Sequence, residues 1–185
     1  GSARWDVVRT DRGASRASFE GWINSDVAAE TFQRARLDFA ELKARAQRPG
    51  FRAVRMNLTG SIALDTRVEE RTTYNVIGVL PGAERPDETL MYSAHWDHLG
   101  HCPAIEGDDI CNGALDNATG VAALIELARR ASAEGRPRRS MAFIALTAEE
   151  QGLLGALYYR DHPQFAARDT VALINMDGIN NFGPT

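Results

Sequence analysis

Long apolar runs are missing from this 185-residue chain: no stretch approaches the roughly 18 residues a bilayer-spanning helix needs, so no membrane span is expected. Clustered basic residues are missing as well. The formal net charge is -4 and the arginines are scattered through mixed-charge segments, without the concentrated positive surface of a nucleic-acid binder, so no nucleic-acid partner is expected. There is no internal repeat and no low-complexity tract, and a hydrophobic content of 44% can fill a core, which excludes a disordered tail. An initiator methionine is lacking too. The opening Gly1-Ser2 reads as the scar of a cleaved expression tag, so the want of a leader peptide is uninformative.

Cysteine is scarce. Cys102 and Cys111 are the only two, and they flank a short polar loop. Their spacing suits a disulfide in an exported protein, periplasmic or extracellular, and equally suits two free thiols; the disulfide is the favoured reading. A zinc site built from them is disfavoured, because a lone pair nine positions apart lacks the paired C-x-x-C spacing.

What is present has a clear order. Residues 25–48 read as two helices, the first capped by Ser25 and the second opened by a capping-box pattern of Asp38 with Glu41; Pro49-Gly50 ends them. From Phe51 to Leu80 the pattern changes to strands: Val54, Met56 and Leu58 alternate with polar residues, followed by Ile62 and Leu64 and then by residues 75–80. After a polar turn comes a regular alternation of strand 89–94, helix 120–133, strand 140–146, helix 153–160 and strand 170–176. Such alternation predicts βαβ units and hence an α/β fold, with a mixed, largely parallel sheet whose antiparallel edge comes from the earlier strands.

The polar residues of interest fall at the carboxyl ends of these predicted strands, where open α/β sheets bind ligands. His95 and Asp97 end the first parallel strand, Asp116 precedes the long helix, Glu149 and Glu150 follow the next strand, and Asp177 follows the last. Between Pro86 and Ala128 there is no Lys or Arg, while eight carboxylates occur, Asp97, Glu106, Asp108, Asp109 and Asp116 among them. Carboxylates gathered in a crevice raise one another's pKa unless a cation intervenes, and mixed imidazole and carboxylate donors suit zinc, with manganese or cobalt as alternatives. Taken singly, each group has a plainer reading. His95 would be a core histidine, Asp116-Asn117 a helix cap, and Glu149-Glu150 an acidic first turn favoured by the helix dipole. Their joint placement at successive strand ends favours the functional one. His98 and His101 read as loop residues or supports around the site, and His162 as structural.

Four segments together resemble peptidase family M28, the co-catalytic zinc aminopeptidases: A-H-W-D-H-L-G at 94–100, G-A-L-D-N-A-T-G at 113–120, T-A-E-E-Q-G-L-L-G at 147–155 and N-M-D at 175–177. The resemblance implies a zinc-exopeptidase-like fold with helices on both faces of the sheet. It implies two Zn2+ ions, with Asp116 bridging them, His95 and Asp177 completing one and Glu150 ligating the other. Asp97 would steady His95 by accepting its other ring N–H, and Glu149 would be the general base. The family carries one further histidine downstream on the second ion, and the sequence stops at Thr185 before any candidate. A fold incomplete at its C-terminus is therefore expected, with one well-liganded site, little activity from these residues alone, and either self-association or a complementing C-terminal fragment. Residues 1–50 resemble the tail of a protease-associated insertion or a helical appendage, and residues 51–185 the N-terminal part of the catalytic domain. The expected substrate is a peptide, cleaved at its amino end; a carboxypeptidase, a non-catalytic scaffold and a single-zinc acyltransferase like glutaminyl cyclase are the alternatives.

Overall fold

The computed structural model describes residues 5–11, 14–17, 21–65 and 67–179. The chain divides into two compact units, one of Arg9–Glu69 and the other of Gly1–Val8 together with Glu70–Thr185.

In the first unit, helix α1 spans Ser25–Arg34 and helix α2 spans Phe39–Ala46. Asn24 rather than Ser25 caps α1, its side-chain oxygen accepting the Val27 N–H at 2.9 Å. Asp38 caps α2 in the same way through the Glu41 N–H at 2.8 Å, satisfying a donor that the first turn leaves without a partner. The rings of Phe32 and Phe39 meet with centroids 5.0 Å apart, and Leu42 is the buried residue of α2.

The alternation at 51–64 does not become strand. No regular element occurs there among the described residues, and Val54, Leu58, Ile62 and Leu64 are all exposed. Alternating residues are half of what a strand requires; a neighbouring edge must accept the backbone N–H and C=O groups, and a core must take the apolar face.

The second unit is built on a four-stranded sheet. Strand β1 is Val76–Leu80 and β2 is Arg85–His95; a two-stranded hairpin of β3 (Gly100–Ile105) and β4 (Asp108–Cys111) follows; β5 is Arg139–Leu146 and β6 is Thr170–Asn175. Spatial order in the sheet is β1-β5-β2-β6. β2 lies parallel to β5, from Thr89 opposite Ser140 to His95 opposite Leu146, and parallel to β6, from Leu90 opposite Ala172 to Ser93 opposite Asn175. β1 is antiparallel to β5, so the sheet is mixed as expected.

Helix α3 (Thr119–Ala133) returns the chain from β2 to β5, and α4 (Leu154–Asp161) carries it from β5 to β6 on the far side of β2. Because β2 and β5 are the interior strands, both of their faces need cover, and their sequences are correspondingly apolar in continuous runs. On one face Ala94 and Phe143 pack with Leu124, joined by Val121, Leu127, Ala128 and Ala131 at helical spacing along α3. On the other face Met91, Ala142 and Ile144 pack with Tyr159 of α4 and with Phe165. Burying a residue of the size of Leu124 or Phe143 contributes about 1.5 to 3 kcal/mol.

The hairpin β3–β4 is held differently. Its Ile105 and Ile110 are exposed, and a Cys102–Cys111 disulfide ties its strands, with Cα atoms 5.8 Å apart. The chain-entropy account assigns so short a loop roughly 2 to 3 kcal/mol. Alkylation of the folded, non-reduced protein should therefore label neither cysteine, and labelling after reduction should add two groups, both read by intact mass.

Candidate metal centre

Three strand ends are brought into line where α3 begins. The Trp96 N–H donates to Leu146 O at 2.9 Å, and the Met176 N–H donates to Ser93 O at 2.8 Å, so pairing persists to the last residues of β2, β5 and β6. The Ser93 hydroxyl adds a bond to Asn175 Oδ1 at 2.7 Å. His95, Thr147 and Asp177 thus leave the sheet side by side.

Asp116 reaches them from a tight turn, Ala114–Ala118, in which Asp116 and Asn117 have non-helical dihedrals and are joined by a cis peptide. Asn117 fixes this turn. Its side chain is buried, donates to Met176 O at 2.9 Å and accepts the Gly120 N–H at 3.1 Å. The neighbour of Asp116 is thereby bonded to the neighbour of Asp177. Gly120 permits the approach, because a Cβ there would collide with Asn117 Oδ1 and Met176 O.

The centre of the site is His95, 2% exposed. Its Nδ1 lies 3.1 Å from the backbone oxygen of Asp97, which can only accept, so Nδ1 carries a proton and Nε2 faces the crevice. There Nε2 meets Asp116 Oδ1 at 3.1 Å, Asp177 Oδ1 at 3.3 Å and Glu149 Oε2 at 3.9 Å. Burial disfavours the imidazolium, but the Asp97 carbonyl and the negative charges of Glu149 and Asp177 outweigh it, and the His95 pKa is raised. Glu149 is raised too, first by burial and then by Asp177, Glu150 and Asp97, with the opposing pull of His95 insufficient to cancel them.

Asp97 does other work than its carboxylate was expected to do. Its Oδ1 stands 3.7 Å from His95 Nδ1, while its two oxygens accept the backbone N–H groups of Glu149 at 3.0 Å and Glu150 at 3.2 Å. It therefore positions the turn bearing the two glutamates, and its main-chain oxygen orients the histidine.

Two groups of donor atoms lie within 4.8 Å of one another: His95, Asp116 and Asp177 in one, and His98, Asp116 and Glu150 in the other. The sequence reading brought together His95, Asp116, Asp177, Glu149, Glu150 and Asp97, and all six meet here. It did not assign His98 to a ligand set, although the residue stands three positions beyond His95 in the same loop. His98 Nδ1 is 2.6 Å from Glu150 Oε1. His101 instead faces Asp109 in the exposed hairpin at 3.1 Å, and His162 stacks on Tyr158.

Residues 75–185 match peptidase family M28. The chain belongs to this family. Aminopeptidase NAALADL1 of Mus musculus is 34% identical over 122 residues, covering 63% of this chain and 15% of the relative. A probable zinc metalloprotease of Pyrenophora teres f. teres is 37% identical over 107 residues, covering 57% and 22%. Among solved structures, the aminopeptidase from Aneurinibacillus sp. strain AM-1 aligns at 26% identity with a TM-score of 0.44, over 56% of this chain and 24% of that one. The chain thus spans less than a quarter of the length of each of these proteins.

M28 is a family of zinc metallopeptidases, and the donors fit the metal: an imidazole with one nitrogen committed to a carbonyl and the other aimed at two carboxylates is a zinc-type arrangement.

Two outcomes follow from this geometry. Asn117→Ala should lower stability by about 1 to 3 kcal/mol, since Met176 O and the Gly120 N–H both lose their partner, and should weaken zinc binding as Asp116 and Asp177 lose their common support; denaturant melts and zinc titration measure the two effects. Zinc also competes with a proton held more firmly than in a free histidine, so affinity should fall as pH drops through the raised His95 range and zinc uptake there should release protons. Calorimetry in buffers of different ionisation heat reads that release.

Proposed function

We propose that this chain forms part of a two-zinc exopeptidase that hydrolyses the amino-terminal peptide bond of peptides. The observation that carries the reading is the division of labour among the carboxylates. Asp116 belongs to both donor groups, as a bridging ligand would, Asp177 and Glu150 belong to one each, and Glu149 belongs to neither although its carboxylate stands beside them.

Zinc bound in such a pair supplies a Lewis acid for the scissile carbonyl and a lowered pKa for the attacking water. The remaining tasks fall to side chains. Glu149, partly buried and with its pKa raised, is placed to take a proton from the water and hand it to the departing amine. Asp97 holds it at that position through the backbone N–H. The His95 ring is kept from turning by the Asp97 carbonyl, which preserves the direction of Nε2. The disulfide supports an exported, periplasmic or extracellular location, and residues 1–50 are assigned to a protease-associated insertion or a helical appendage. On the ligands implied by the family resemblance, residues 1–185 give the Glu150 position two donors, Glu150 and Asp116.

In the full-length enzyme Glu149→Gln should retain its zinc and lose about 10² to 10⁴-fold in kcat. Peptides blocked at one end or the other decide polarity: resistance of amino-acetylated peptides supports the proposal, while resistance only of carboxyl-amidated ones makes the enzyme a carboxypeptidase. Intact turnover by Glu149→Gln removes Glu149 from proton transfer.

A further inference from the structure

Glu149 leaves β5 through a backbone that must be held in place. Ala148, the residue before it, has φ +51°, a conformation that residues other than glycine rarely adopt, and Leu153 further along the same turn has φ +61°. Within the turn the Gly155 N–H donates to Thr147 O at 3.0 Å, the Leu154 N–H to Ala148 O at 3.0 Å and the Leu153 N–H to Glu149 O at 2.8 Å. A left-handed alanine persists only where its surroundings over-determine it.

One of the groups that hold it is the Asp97 carboxylate, which takes the Glu149 N–H. The other is Asn75, the residue before β1. β1 pairs with β5 from Val76 opposite Ala145 and β2 pairs with it as far as Leu146, so the Thr147 N–H lies past both ladders. Asn75 Oδ1 accepts that N–H at 3.1 Å, and Asn75 Nδ2 donates to Gly155 O at 2.8 Å. A single amide thus joins the first residue of the turn to the last. Gly155 makes room for it, because a Cβ there would collide with Thr147 O and Asn75 Oδ1. An amide suits both ends, since the Thr147 N–H needs an acceptor and Gly155 O a donor; a carboxylate offers acceptors alone and an apolar side chain neither. The segment that carries Asn75 is itself fastened. Thr73 Oγ1 lies 2.7 Å from Thr147 Oγ1, and Tyr74 O accepts the indole N–H of Trp96, the residue after His95, at 3.1 Å.

We propose that Asn75 is a positioning residue for the proton transfer assigned to Glu149: by pinning Thr147 and Gly155 it keeps Ala148 left-handed and so sets the direction in which Glu149 leaves the chain. The proposal rests on the reading of Glu149 as general base given above. An Asn75 that merely ties β5 to α4 is the competing account, and it affects stability without acting through Glu149.

The test is a double-mutant cycle in the full-length enzyme, with bound zinc measured by atomic emission and peptide hydrolysis followed below the melting temperature of every variant. Zinc is kept saturating, because Glu150 shares the turn. Asn75→Ala should retain the wild-type zinc content and lose roughly 10 to 100-fold in kcat with KM within about twofold, the scale of a misplaced catalytic group. In a Glu149→Gln background the same substitution should change kcat by no more than about twofold, since a side chain that carries no proton gains nothing from being aimed. Unchanged kcat in Asn75→Ala, equal losses in the two backgrounds, or zinc lost from Asn75→Ala overturn the role of Asn75 and leave Glu149 as the base. Wild-type kcat in Glu149→Gln overturns both. Should Asn75→Ala fail to fold, Asn75→Ser, which keeps a polar group at the position, enters the cycle under the same criteria.

Discussion

Four carboxylates, those of Asp116, Asp177, Glu149 and Glu150, are held around two buried or partly buried imidazoles, and the surrounding structure must resist their mutual repulsion. Two unit charges 4 Å apart interact by about 4 kcal/mol at an effective dielectric of 20, so the cluster would spread if its backbone were free to move. Burial leads in raising the Glu149 pKa and the Asp97 carbonyl in raising that of His95, and the neighbouring carboxylates push both further in the same direction. A divalent ion satisfies the same field without sacrificing the basicity that hydrolysis needs.

Rigidity comes from bonds between neighbours of the site residues. Asn117 joins the Asp116 turn to the end of β6, Trp96 joins the ends of β2 and β5, and Asn75 accepts the Thr147 N–H at 3.1 Å while donating to Gly155 O at 2.8 Å, fixing the path from β5 to α4. β2, lying between β5 and β6, is the strand that the others register against, and the histidine at its end is the point from which the distances to the carboxylates are set.

The parallel core and the strand-end positions of the site were legible because burial on both faces writes itself into β2 and β5 as continuous apolar runs, and helical spacing into α3. The β3–β4 hairpin was not, since Ile105 and Ile110 are exposed and the strands are held by backbone pairing and a covalent bond, neither of which needs a hydrophobic period. Residues 51–64 err in the opposite direction: the period is there, but no strand forms. The contact of His98 with Glu150, 52 positions away, and the clearance that Gly113 leaves for its ring have no local pattern to announce them. Asp97 shows the same limit at the level of atoms: a sequence can name the residue that steadies a histidine, but not whether the main chain or the side chain does so.

Asp97 also links two functions that could have been separate. Its carboxylate grips the N–H groups of Glu149 and Glu150 together, one oxygen to each. The group assigned to carry protons and the group assigned to hold charge are consecutive residues on one short lever, pivoting on a single acidic side chain. A change that swings one toward a new substrate displaces the other, so substitutions in this loop cannot tune reactivity and ion retention independently.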